Sequence, residues 1–86
     1  MPNQNDITYH TELSANITEF CRYLRSNGLA LSPTDQVDAL RALEIMPFSN
    51  RKTFRLTLRA VLTKNQTDQK KFDTLFPDYW KNLELA

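Results

Sequence analysis

Glycine, cysteine and histidine are almost missing from this chain of 86 residues, which holds one of each: Gly28, Cys21 and His10. Each scarcity removes a class of chemistry. A single glycine is too few for a glycine-rich phosphate-binding loop. A single cysteine precludes an intramolecular disulfide, so the fold needs no oxidising compartment. One histidine and one cysteine fall short of the ligand set of a usual zinc site, and neither a metal nor a cofactor is expected. His10 lies in a polar N-terminal stretch, a poor place for a positioned general base. Cys21 falls on an apolar helix face, as a packing thiol does. The chain is therefore read as not an enzyme, with no catalytic residue assigned.

Charge of one sign is lacking too. Eleven basic and ten acidic residues leave a net charge of +1, which offers no global attraction for nucleic acid or anionic lipid. No apolar run approaches the roughly 18–20 residues that a bilayer span requires. Residues 1–10 carry no basic-then-apolar signal pattern. A soluble, cytoplasmic protein is the expectation, with no membrane contact.

What is present is helical periodicity. A 41% apolar share with 24% charged residues suits one small globular domain. The lone glycine and four prolines leave few turns with which to connect strands, and no alternating pattern competes. The expected fold is all-α, a bundle of four to five helices over residues 11–86, following a flexible tail at 1–10. Leu13, Ile17, Phe20, Cys21 and Leu24 recur at intervals of three and four, and Asn27-Gly28 ends that first helix. Ser32-Pro33-Thr34-Asp35 marks the start of the second, with Ser32 as cap and Pro33 at the first helical position. Ala39, Leu40, Leu43 and Met46 form its inward face, Val37 its edge, and Pro47 stops it near Ile45. Ser49 is expected to cap a third helix, whose stripe is Phe54, Leu58, Val61 and Leu62, with Leu56 on the opposite side. Thr67 or Asp68 would cap a fourth. There Phe72, Leu75, Phe76, Tyr79 and Leu83 share a face with Trp80 beside it, and Pro77 is read as opening a short final helix.

The third helix carries Arg51, Arg55 and Arg59 in a column, with no acidic residue between Ser49 and Thr67. Such a column either contacts an anionic partner or snorkels along the core edge to pair with nearby carboxylates, for which Asp73 is a candidate. Arg59 and Asp73 are read as fold elements. Arg51 and Arg55, together with Tyr79 and Trp80 near the C-terminal end, are the candidate partner-binding residues. The short Met46–Ser49 connection also suits a helix-turn-helix, which makes a small nucleic-acid-binding domain the alternative reading. Phe54, Leu56, Leu58 and Leu62 leave that helix little polar face for base edges, so nucleic acid is disfavoured.

The order of residues adds a resemblance. Phe20-x-x-x-Leu24-Arg25-x-x-Gly28-Leu29-x-Leu31-Ser32-Pro33 resembles the start of CoxE-like proteins, bacterial proteins that contain a von Willebrand factor A (VWA) domain. Asp38-Ala39-Leu40-Arg41-Ala42-Leu43 is similar to their second helix. Arg51-x-x-Phe54-x-x-x-Leu58-Arg59-Ala60-x-Leu62 and Asp68-x-x-x-Phe72-Asp73-x-x-Phe76-x-x-x-Trp80 look like the rest of their N-terminal region. The motif residues of this resemblance include Ser32, Pro33, Arg59, Asp68, Phe72 and Asp73. It implies an N-terminal helical module whose relatives work with MoxR-type AAA+ ATPases, several of them in maturation or metal-centre assembly of client enzymes. The partner it implies is a VWA domain, in cis or in trans, or such an ATPase. The D-x-S-x-S metal motif of a VWA domain does not occur in these 86 residues, so metal binding is not carried over.

Overall fold

A computed structural model describes the backbone of residues 4–45 and 50–81, with side chains from residue 13 onward in those stretches. Four helices follow one another: α1 (Gln4–Ser26), α2 (Pro33–Ile45), α3 (Arg51–Leu62) and α4 (Gln66–Tyr79). α2 packs against α3, α1 against α2 and α4, and α3 against α4. All-α is the fold class, as the periodicity requires.

The first helix begins at Gln4, about two turns earlier than its apolar pattern indicates. Between Gln4 and Glu12 there is neither glycine nor proline, and each residue added to an existing helix gains one hydrogen bond. Its C-terminus closes as a Schellman motif. The Leu29 amide donates to the Leu24 carbonyl at 3.1 Å and the Gly28 amide to Arg25 at 3.2 Å, with Gly28 at φ 99°. Leu24 and Leu29, which bracket the motif, are both buried. A Cβ at residue 28 would also stand 2.8 Å from Lys71 Nζ.

The second helix starts at Pro33, as its sequence indicates. The Asp35 amide donates to Ser32 Oγ at 3.2 Å, and the Ser32 amide donates to Asp35 Oδ2 at 2.8 Å, a reciprocal capping arrangement. Met46 and Ser49 lie outside the described residues. The cap of α3 is Asn50, not Ser49: its Oδ1 accepts from the Thr53 amide at 2.8 Å. Likewise Asn65, not Thr67 or Asp68, caps α4, accepting from the Asp68 amide at 2.8 Å. Asp68 completes that box by accepting from the Lys64 amide at 3.2 Å. The asparagine amide oxygen reaches the first-turn amides as well as a hydroxyl does, so both helices begin one to three residues from the expected cap.

Pro77 does not open a separate helix. α4 runs through it, and the Trp80 amide still reaches the Phe76 carbonyl at 3.0 Å. Proline removes the bond to the carbonyl four residues earlier. That loss falls in the last turn, while Phe76 and Trp80 on either side pack into one core and hold the helical course. Leu83 lies outside the described residues.

The core gathers Ile17, Phe20, Cys21 and Leu24 from α1, Ala39 and Leu43 from α2, Phe54, Leu58 and Leu62 from α3, and Phe72, Phe76 and Trp80 at α4. Phe20 is its hub. Its ring meets those of Phe72, Phe76, Tyr79 and Trp80 at 5.0–5.9 Å between centroids, mostly edge to face. No helix among the described residues is long and apolar enough to cross a membrane.

Candidate interaction surface

Helix α3 divides its circumference into three strips. Phe54, Leu58 and Leu62 are buried. On one side of them runs the arginine column, facing α4. On the other side lie Thr53, Thr57 and Ala60, facing α2, with Leu56 at the outermost position.

The arginine column is mostly joined to α4. Arg59 grips Asp73 with a two-pronged contact, Nε to Oδ1 at 2.9 Å and Nη2 to Oδ2 at 3.2 Å. Arg55 approaches the same carboxylate more loosely, with Nη1 3.6 Å from Oδ1. Arg51 lies at the far end of the column. Its Nη1 donates to the Trp80 carbonyl at 2.6 Å, and its guanidinium stands 5.5 Å from the centroid of Phe76. That carbonyl lies just past the last residue of α4, where a cation is favoured by the helix dipole. Two guanidinium groups thus share one carboxylate, and Arg59 and Arg51 lock α3 to α4.

The C-terminal aromatic pair divides. Trp80 is 6% exposed and packs edge-on against Phe54 at 5.2 Å, which places it in the core and not on an open patch. Its Nε1 is buried with no hydrogen-bond partner among the described groups. Tyr79 is half-buried between Phe20 and Tyr23, and its hydroxyl reaches the Asn16 carbonyl at 3.5 Å. Burial pushes the Tyr79 phenol upward, with Glu19 adding to the effect.

The opposite side of α3 opens a groove that periodicity alone does not reveal. Ala42 of α2 and Thr53, Leu56, Thr57, Ala60 and Val61 of α3 line a shallow space of about 420 Å³. Thr57 turns its hydroxyl back to the Thr53 carbonyl at 2.8 Å, so the lining is largely apolar. Small side chains at 42, 53, 57 and 60 leave this hollow, and Leu56, 43% exposed, stands at its rim. The sequence signal was Leu56 on the far side of α3; the small residues around it gave no warning of a concavity. Ile45 at the end of α2 is 73% exposed.

Chemistry elsewhere is sparse. The Cys21 thiol is fully buried, and burial pushes its pKa up, partly countered by the nearby Arg25. Among the described residues no group of three His, Cys, Asp or Glu side chains is placed to hold a metal.

A family model described as the CoxE N-terminal helical bundle domain matches residues 17–83. The chain belongs to that family. The match covers the C-terminal part of α1, from Ile17, and all of α2, α3 and α4 of this CoxE-type domain. No curated protein and no solved structure matches the chain. Within the CoxE-type bundle the motif residues have visible positions. Ser32 and Pro33 start α2, Asp68 completes the cap of α4, Phe72 is buried beneath Phe20, and Arg59 with Asp73 joins α3 to α4.

Proposed function

We propose that this CoxE-type bundle is a non-catalytic protein-interaction module. Its partner in the cytoplasm is a MoxR-type AAA+ ATPase, or a VWA domain in cis or in trans, and it acts in the maturation or assembly of a client enzyme. Membership of the family over residues 17–83 carries the reading. Two features of the bundle support it. Its one thiol is sealed in the core, and the outer side of α3 combines apolar and cationic side chains, as contact surfaces between proteins can. The helix-turn-helix reading finds less support, because Arg51 and Arg59 are held by α4 and Leu56 occupies the outer face of the would-be recognition helix.

The test is direct binding between purified proteins. The 86-residue chain, immobilised, is expected to retain the MoxR-type ATPase or the VWA protein encoded beside it, in the presence of nucleotide. Retention of neither overturns the reading.

A further inference from the structure

The near-zero net charge hides a strong polarity. Residues 1–50 hold six acidic and three basic side chains, whereas residues 51–86 hold eight basic and four acidic ones. The N-terminal half of the bundle is therefore acidic and the C-terminal half basic. On α3 the imbalance is complete: Arg51, Lys52, Arg55 and Arg59 lie on the helix, and it has no acidic residue.

Internal pairing does not cancel this charge. Asp73 is the carboxylate that α4 sets against the column, and Arg59 already occupies both its oxygens. Arg55 shares one of those oxygens at 3.6 Å, and its side chain keeps 34% of its surface open. Lys52, exposed, follows the same strip, one turn from both Arg55 and Leu56. Leu56 and Arg59 are likewise one turn apart. Lys52, Arg55 and Arg59 thus flank Leu56 on the side away from α2, and the apolar groove flanks it on the other. On the α2 wall, near Ala42, stand Asp38 and Arg41, one charge of each sign, so the cationic bias of the site comes from α3.

We propose that the outer face of α3 docks an acidic amphipathic helix of a partner protein. The partner inserts an apolar side chain into the groove beside Leu56, and sets carboxylates against Lys52 and Arg55. Along the α3 axis Lys52 and Arg55 are about 4.5 Å apart, and Arg55 and Arg59 about 6 Å, so acidic residues three or four positions apart on the incoming helix meet them in register. The apolar contact supplies area removed from water, and the charges set orientation and exclude basic partners. Arginine is among the side chains enriched at binding hot spots. The proposal rests on the interaction-module reading and adds to it the chemistry of the partner and the surface that receives it.

The probe is a fluorescein-labelled synthetic helix of about 18 residues, long enough to hold helical structure when docked, with a leucine stripe bordered by glutamates. Its twin carries lysines in place of the glutamates. Fluorescence anisotropy with the full chain is expected to show saturable binding of the acidic peptide alone, weakened by salt. Lys52→Glu and Leu56→Asp, both at exposed positions, are each expected to weaken it about tenfold or more, with helicity by circular dichroism unchanged. Arg55→Glu is expected to do the same, and Lys52→Glu provides the reading if that variant unfolds through repulsion with Asp73. Equal binding of the two peptides overturns the proposal. So does indifference to Lys52→Glu and Leu56→Asp, or no binding up to about 1 mM, the weak end of specific association. A duplex DNA bound more tightly than the acidic peptide overturns it in favour of nucleic acid. If the ATPase or VWA protein binds equally well to wild type and to the Lys52→Glu, Leu56→Asp double variant, this surface falls while the interaction-module reading stands. If the acidic peptide binds in the expected way and neither protein does, the surface stands and the family-based choice of partner falls.

Discussion

Arg59 and Asp73 face each other across the α3–α4 seam through two nearly parallel hydrogen bonds, 2.9 and 3.2 Å long. Both side chains are partly open to solvent, 30% and 42% exposed, so screening keeps the contact in the range of surface ion pairs. Its geometry gives it more value than its exposure suggests, because a forked contact fixes the rotation of one helix against the other. Asp73→Asn is expected to lower stability by about 0.5–1 kcal/mol. A double-mutant cycle with Arg59→Gln, followed by urea unfolding, should show that the two losses are not additive.

Arg51 should behave differently from Arg55. Arg51→Ala leaves the partly buried Trp80 carbonyl without its charged donor and uncovers Phe76, a loss of about 1–2 kcal/mol. Arg55→Ala removes only a loose ion pair, and should change stability by less than about 0.5 kcal/mol. Chemical denaturation of the two variants separates an arginine that braces the fold from one that contributes little to it.

Trp80 supplies a test of core against surface. Trp80→Ala opens a cavity between Phe20, Phe54 and Phe76 and is expected to cost about 3–5 kcal/mol, enough to unfold much of a domain this small. Trp80→Phe keeps the ring stacking and loses an indole N–H that has no acceptor among the described residues, so it should cost about 1 kcal/mol. Near-equal effects of the two changes on thermal unfolding would contradict the core placement.

Acid should weaken the start of α2. The Ser32 amide, donating to Asp35, holds that carboxyl below its ordinary value of 3.8, and Lys64 assists at 3.2 Å. Because the folded value is depressed, this contribution is present above the unfolded value and is lost as pH falls through the folded one. Asp35→Asn should therefore reduce stability near neutral pH and make unfolding less sensitive to pH below about 4. Urea midpoints for the two proteins, measured from pH 7 downward, are expected to converge.

Much of the bundle was legible because local rules repeat along a chain. The intervals in Ile17–Leu24 and Phe54–Leu62, the Asn27-Gly28 stop and the Ser32-Pro33 start each depend on residues within two turns of one another, and each appears in the fold. The errors were local too. Asn50 and Asn65 took the caps expected of Ser49 and of Thr67 or Asp68, since several polar residues at a helix start can do the same work and packing selects among them. Pro77 was read as a boundary because proline breaks an isolated helix; tertiary contacts on both sides of it carried α4 through.

The amino-acid sequence by itself determined an all-α bundle of four to five amphipathic helices, the stop of the first and the start of the second, and a column of arginines beside an apolar stripe. Only the tertiary structure decided what each arginine does, because their partners lie far along the chain. Arg59 meets Asp73 across 14 positions and Arg51 meets Trp80 across 29. Tertiary structure likewise turned Ala42, Thr53, Thr57 and Ala60 into a groove. Small side chains show a concavity only when two helices bring them side by side, and no period along one helix records that meeting.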